Sequence, residues 1–473
     1  MAELVRRLYT LAWWLALPLV LARLWWRGRR EPGYRQHIGE RLGFYRRDNN
    51  VEESDAQRSE ERASDGRTSD SNKQATKVEA CKTQVRPTLW IHAVSVGETR
   101  AAQPLIDALL AHYPDHRIVL THMTPTGRAT GAALYARHAS RLIQCYLPYD
   151  IGSMVRRFLR RFQPQACLLI ETEVWPNLVA QCTRQGVPVA LVNARLSARS
   201  LARGQKMSLL IGAAARSLTC VAAQTEADAA RLRQLGAAPI TVTGSIKFDV
   251  EPSAAQIAQG IGWRQRFGKR QVVLFASTRD GEEAAIIAAL RTMPIDALLI
   301  VVPRHPQRFE DVAALMAQEN MAFLRRSQFD EGVLPSTVAM LLGDSMGEMS
   351  AYYAAADLAF IGGSLLPLGG QNLIEACAIG RPVLVGPHTF NFAAVTEDAI
   401  TAGAALRVDD ALSLIVSIKA LLGDAAVRGA MANAAQTFAM QHRGATLRTL
   451  SLLKAMVSSQ CVPKASAPLT KLI

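Results

Sequence analysis

Polar clusters stand at the ends of apolar runs along this chain, and their residue types suit the handling of hydroxyls and phosphates. The first is His92-Ala93-Val94-Ser95-Val96-Gly97-Glu98, directly after Leu89-Trp90-Ile91. Gly97 would let the chain turn and leave Glu98 at the start of a helix, where a carboxylate can take a proton from a sugar hydroxyl. The same position is equally what the dipole of a first helical turn asks of a glutamate, with no chemistry attached. The second cluster, Glu171-Thr172-Glu173-Val174-Trp175-Pro176-Asn177, follows Leu168-Leu169-Ile170. Two carboxylates there serve either a cleft or the capping of a helix that begins at Pro176.

Further along, the clusters favour an anion. Leu298–Val302 runs into Pro303-Arg304-His305-Pro306, and an arginine emerging from a buried run wants a fixed phosphate or carboxylate. Val338–Leu342 runs into Gly343-Asp344-Ser345-Met346-Gly347-Glu348, a turn whose backbone N–H groups can cradle oxygens. Leu358–Ile361 runs into Gly362-Gly363-Ser364 and then Gly369-Gly370-Gln371-Asn372-Leu373-Ile374-Glu375. That is a glycine-rich loop entering a helix, a natural phosphate site, with Glu375 placed for a ribose hydroxyl. Lys247, in Thr243-Gly244-Ser245-Ile246-Lys247-Phe248-Asp249, would either neutralise a leaving phosphate or be an exposed linker lysine. No G-x-x-x-x-G-K-[ST] loop or H-E-x-x-H pair occurs, which argues against a P-loop NTPase and a zincin.

The elements that must position these clusters are short apolar strands alternating with helices. One set comprises Leu89–Ala93, Ile118–His122, Ala166–Ile170, Val187–Val192, Thr219–Ala223 and Ile240–Thr243. A second comprises Val272–Ala276, Ala297–Val302, Val338–Leu342, Leu358–Ile361 and Val383–Val385. Near-continuous apolar runs are what parallel strands covered on both faces require, and helix-length segments such as Arg100–Tyr113 and Thr225–Leu235 lie between them. The pattern predicts an α/β chain with two doubly wound, Rossmann-like domains facing a cleft that takes the ligands. The expected layout is an anchor over 1–30, a first domain over 31–243, a second over 244–425 and a helical tail over 426–473. Residues 48–86 are too polar to offset their ordering entropy and read as a disordered insertion.

Of 473 residues, 49% are hydrophobic, as a packed α/β chain needs, and 54 Lys and Arg against 40 Asp and Glu give a formal charge of +14. Such a surplus seeks anions. The basic stretches lack the aromatic interleaving of nucleic-acid modules, so phosphorylated substrate and membrane are the expected partners, with no nucleic acid. The seven cysteines are scattered without a C-x-x-C pair, which suits buried thiols in a reducing cytoplasm. Leu8 to Ala22 is an apolar, Trp-containing run bracketed by Arg6, Arg7 and Arg23. At about 22 Å of helix it is short for a ~30 Å hydrocarbon core. It either just spans with snorkelling arginines or lies in the interface, and the arginines that follow hold that side in the cytoplasm.

Longer strings carry a resemblance. Besides HAVSVGE and ETEVWPN, the chain contains EPGYRQHIGERLGFY (Glu31–Tyr45), MTPTG (Met123–Gly127), LPYD (Leu147–Asp150), NARLSARS (Asn193–Ser200), TGSIKFD, VPRH, GDSMGE, GGQNLIEA and GPHTFNF (Gly386–Phe392). In this order they resemble the 3-deoxy-D-manno-octulosonic acid (Kdo) transferases of lipopolysaccharide synthesis, enzymes of the glycosyltransferase-B fold. The resemblance implies Kdo transfer from CMP-Kdo to a lipid A precursor at the cytoplasmic leaflet of the inner membrane, with inversion and release of CMP. It implies Glu98 as base, Glu171 and Lys247 as transition-state stabilisers, and CMP binding by Pro303, Arg304, Met346, Gly347, Glu348, Asn372, Leu373, Ile374 and Glu375. Neither a metal nor a cofactor is implied. The usual histidine of the glycine-rich loop is Gln371 here. The competing readings are a uridine-diphosphate-sugar transferase or epimerase, and a non-catalytic binder of anionic lipid that would leave Glu98 and Arg304 without a purpose.

Overall fold

The computed structural model describes residues 1–29, 31–45, 86–329 and 332–458. The expected insertion over 48–86 lies outside these residues, apart from Arg86. The chain divides into two compact units, one of residues 1–246 with the segment from 444 onward, the other of residues 247–443.

The first unit holds β1 (Thr88–His92), β2 (Arg117–His122), β3 (Leu142–Tyr146), β4 (Pro164–Ile170), β5 (Val189–Ala194), β6 (Cys220–Ala223) and β7 (Ile240–Val242). They form a seven-stranded sheet in the order β3-β2-β1-β4-β5-β6-β7, parallel at every pairing. The second holds β8 (Val272–Thr278), β9 (Leu298–Pro303), β10 (Phe323–Arg325), β11 (Met340–Leu342), β12 (Leu358–Ile361), β13 (Val383–Val385) and β14 (Ala405–Arg407). Their order is β10-β11-β9-β8-β12-β13-β14, again parallel throughout. Of these, β3, β10 and β14 are not among the strands expected from the sequence, and all three are sheet edges.

The apolar runs are continuous because both faces are covered. Along β1, Trp90 joins one core while Leu89 and Ile91 join the core on the opposite face. Along β8, Val272, Leu274 and Ala276 face one core and Val273 and Phe275 the other. The strand order reverses between β1 and β4 in the first sheet and between β8 and β12 in the second, where β10 and β11 are also exchanged at the edge. Such reversals open a crevice beyond the carboxyl ends of the strands, where doubly wound folds bind ligands.

The C-terminal segment does not form a single tail. Helices Ala411–Gly423 and Ala425–Gln441 belong to the second unit. The chain then turns at Gly444 (φ +91) and helix Ala445–Ser458 returns to the first unit. There Leu450, Leu453, Met456 and Val457 share a core with Leu105, Ile106 and Leu109 of helix Gln103–His112. At the other end of the chain, α1 (Ala2–Arg27) is the one helix among the described residues long and apolar enough to cross a membrane. One of its faces packs on the first unit, through Leu17 against Tyr149, Ile151 and Met154.

Candidate functional site

In the first unit, β1 ends at His92 and the chain enters helix Val96–Ala101 through Ser95, the N-cap. The turn is therefore made at Ser95, while Gly97, the expected turning point, lies inside the first helical turn. Glu98 is the third helical residue, as expected near a helix start. Val94 N–H donates to Glu98 Oε2 at 2.6 Å, and Ser95 Oγ stands 3.4 Å from Oε1. The carboxylate thus helps close its own helix terminus, while Oε1 keeps only the longer contact. Burial pushes the Glu98 carboxyl up to about 7, against the Val94 hydrogen bond, and the charges of Glu173 and Glu171 push the same way.

Those two glutamates follow β4, the strand beside β1 at the reversal. Glu171 has φ +65, a left-handed backbone that costs a non-glycine residue energy and so marks a position held by its surroundings. Its N–H donates to Val192 O at 2.9 Å on the neighbouring β5. Glu173 accepts from Trp175 Nε1 at 2.8 Å, and burial raises its carboxyl, with Glu171 adding to the effect. Asn193, next to last in β5, repeats the left-handed conformation (φ +53), and its Oδ1 accepts the Ile246 N–H at 3.2 Å.

Below Glu98 lie two buried histidines that sequence reasoning did not single out. His92 Nδ1 sits 2.9 Å from Thr121 Oγ1, which also accepts from Trp90 Nε1 at 2.9 Å. His122 lies 3.0 Å from both Gln144 Oε1 and Ala93 O. Burial lowers them to about 3 and about 4, so they are neutral braces between strands at any working pH. A histidine ending an apolar run is visible in the sequence, but its burial is not.

In the second unit the polar ends of β8, β9 and β12 meet. Pro303 ends β9, and the Arg304 N–H donates to Thr278 O at 2.9 Å at the end of β8. Arg304 Nε donates to Gln371 Oε1 at 3.2 Å. Arg304 and the glycine-rich loop, proposed separately from the sequence, therefore stand together. The loop turns through left-handed glycines at Gly363 (φ +70) and Gly370 (φ +75), and a Cβ at Gly363 would come within 3.3 Å of both Arg279 Cγ and Gln371 Nε2.

Glu282, absent from the sequence candidates, organises this loop. It starts helix Glu282–Thr292 after β8 and is fully buried. Its carboxylate accepts from Gly363 N–H at 2.6 Å, Leu365 N–H at 2.9 Å and Arg279 N–H at 2.8 Å. An internal anion thus takes the N–H groups of Gly363 and Leu365 at the start of the loop that was expected to meet a phosphate. The helix that follows, Ile374–Ala378, has five residues and so little dipole to offer. Asn372 Oδ1 accepts the Ile374 N–H at 3.1 Å, and Leu373 is buried beneath. Glu282→Gln removes one acceptor and buries an amide donor among N–H groups. It is expected to destabilise the protein by about 1–3 kcal/mol in urea titrations.

The turn after β11 is braced independently. Glu348 accepts from Gln259 Nε2 at 2.8 Å and Arg326 Nη2 at 3.1 Å, and Ser345 Oγ also donates to it. Gly260 permits this, because a Cβ there would lie 2.2 Å from Ala351 O and hold helix Ala254–Arg266 away from helix Met349–Ala355. Gly347 is left-handed (φ +83) and Met346 is exposed beside it. Lys247 is half-buried rather than an exposed linker residue, with its Nζ 5.6 Å from the centre of the Phe392 ring. Phe392 ends the loop whose Asn391 N–H donates to Gly369 O at 2.9 Å. Glu375 is half-buried at the start of its short helix. No group of three or more acidic, His or Cys side chains among the described residues is arranged to hold a metal.

Two doubly wound parallel sheets with polar clusters at their reversals define a glycosyltransferase-B fold. A solved glycosyltransferase from Rickettsia africae shares it with a TM-score of 0.54 at 12% identity, over 79% of this chain and 99% of that one. Sequence comparison is more specific. The family described as 3-deoxy-D-manno-octulosonic-acid transferase (kdotransferase) matches residues 36–250. A 3-deoxy-D-manno-octulosonic acid transferase of Bordetella pertussis is 49% identical over 77% of this chain and 86% of its own length. One of Haemophilus influenzae is 34% identical over 95% of this chain and 98% of its own. The chain belongs to the Kdo transferase family.

Proposed function

We propose that this protein transfers Kdo from CMP-Kdo to a hydroxyl of a lipid A precursor, lipid IVA, at the cytoplasmic face of the inner membrane, in lipopolysaccharide synthesis. The first unit handles the acceptor and the second the donor. The acceptor hydroxyl gives its proton to Glu98, and its oxygen attacks the anomeric carbon of Kdo from the face opposite the phosphate. The bond from that carbon to the phosphate oxygen breaks, and CMP leaves with the bonding electrons. One glycosidic bond replaces one phosphoester bond, and the configuration inverts. Arg304 and Lys247 neutralise the phosphate as it leaves, and Glu171 stabilises the positive character that develops on the sugar. Pro303, Met346, Gly347, Glu348 and the segment Asn372–Glu375 hold the cytidine monophosphate.

The observation that carries this reading is a half-buried carboxylate raised to about 7 at the central reversal of the first sheet. A group so poised is half ionised near neutrality, where general-base catalysis works best. Purified protein supplied with tetraacylated lipid A precursor and a CMP-Kdo-generating system should give a lipid heavier by one or more Kdo units. Transfer from a uridine-diphosphate sugar, without Kdo transfer, would overturn the assignment.

A further inference from the structure

Helix α1 is fastened to the first unit along nearly its whole length, and by polar as well as apolar contacts. Near its start, Glu3 pairs with Arg184 at 2.9 Å. Asn177 Nδ2 donates to Thr10 Oγ1 at 2.9 Å and to the backbone O of the buried Asp150 at 2.6 Å. Midway, the Trp13 ring stacks on Tyr149 at 5.7 Å, and Leu17 is buried against Ile151 and Met154. Near its end, Arg35 donates to Trp25 O through Nε and Nη2 at 3.1 and 3.0 Å. From Glu3 to Trp25 the attached length is about 33 Å at the helical rise, as much as a hydrocarbon core is thick. Were α1 to cross the bilayer in this arrangement, Arg184, Asp150, Asn177 and the strand ends behind them would enter lipid. Each such charge or unsatisfied polar group costs several kcal/mol there.

The outward face has the opposite character. Leu4, Leu8, Leu11, Leu15 and Leu19 are all exposed and recur at helical spacing, so they form one apolar stripe. The turn Ser208–Gly212 packs against α1 and adds the exposed Met207 and Leu209. The helix before it, Ala198–Lys206, exposes Arg199, Arg203 and Lys206, and α1 itself exposes Arg7 and Arg23. Apolar side chains bordered by guanidinium and ammonium groups match the acyl boundary and anionic headgroups of a phospholipid leaflet.

We propose that α1 is an in-plane anchor: its leucine stripe sinks into one anionic leaflet while its inner face stays on the first unit, and both helix ends remain on the same side. This concerns the mode of membrane attachment and stands apart from the chemistry proposed above.

The test uses the full-length protein and reads topology, not transfer. Cysteines introduced by Ala2→Cys and Arg29→Cys, probed with a membrane-impermeant thiol reagent, should both be protected in intact spheroplasts and both react in inverted vesicles. Labelling of Ala2→Cys from outside the spheroplast, with Arg29→Cys protected, would mean a spanning helix and overturn the proposal. In flotation, the protein should bind phosphatidylglycerol-containing vesicles in preference to pure phosphatidylcholine. The double change Leu8→Glu with Leu15→Glu should lower that binding about tenfold or more without altering thermal unfolding. Undiminished binding of the double variant, or equal binding to neutral vesicles, would also overturn it.

Discussion

Glu98→Gln is expected to lower the rate of Kdo transfer by about 10²–10⁴-fold, the usual contribution of a positioned general base. The amide is nearly isosteric with the carboxylate, and its oxygen can still accept the Val94 N–H that Glu98 accepts at 2.6 Å. Unfolding midpoint and CMP affinity should therefore stay close to the parent values. A glutamate serving only to cap its helix would give the reverse, a small stability loss with turnover intact. The pH profile separates the two further. Burial first, and then Glu173 and Glu171, raise the Glu98 carboxyl to about 7. Below that pH the group is protonated and has no room for the acceptor's proton, so activity should rise with pH and level off above about 7. Glu173→Gln removes the neighbouring charge that acts more strongly on Glu98, so the Glu98 carboxyl should titrate lower and the rising limb should move to lower pH. An unmoved limb would show that another group sets it.

The central strands were legible because burial on both faces writes itself as an unbroken apolar run, as in Leu89-Trp90-Ile91 or Leu298–Val302. The edges were not. In β3, Ile143 and Gln144 are half-buried, β10 is half-buried throughout, and Leu406 of β14 is exposed. A strand covered on one side only needs no continuous apolar run, so composition does not mark it. Helix Arg100–Tyr113 was read as one element because its apolar spacing is continuous. It is two, Val96–Ala101 and Gln103–His112, with Pro104 in the first turn of the second.

The site shows the same division between what is local and what is assembled. That Glu98 begins a helix follows from Ser95 and Glu98 standing three apart, a local signal. That its carboxyl is raised depends on β4 lying beside β1, which no local pattern encodes. The glycines of the loop after β12 were evident. What fills that loop was not, because Glu282 lies 81 residues from Gly363 in sequence and reaches it only across the reversal between β8 and β12. A hint existed in Asp280-Gly281-Glu282-Glu283, a pair of carboxylates just past a buried strand, like the pair after β4. The chemistry-bearing types were therefore visible wherever they ended strands. Their partners were visible only where the sequence separation was short.

Arg304→Ala is the second large expected effect, a loss of CMP affinity of roughly 10- to 150-fold, corresponding to about 1.5–3 kcal/mol for hydrogen bonds to a charged group. Gln371 Oε1 takes Arg304 Nε at 3.2 Å, a contact that helps to fix the guanidinium plane. Arg304→Lys keeps the charge but loses the fork and the Gln371 contact, so it should recover only part of the affinity. Gln371→Glu tests the same geometry from the other side. A carboxylate on Nε would pair with Arg304 and offset its charge, so CMP should bind more weakly although Arg304 is unchanged. Gln371→His replaces a neutral acceptor with a titrating one, and CMP affinity should acquire a pH dependence between about 6 and 7 that the parent lacks. Calorimetric titration with CMP reads all four variants. If Arg304→Ala bound CMP as the parent does, the phosphate would have to be held elsewhere, and the place of Arg304 in the donor site would fall.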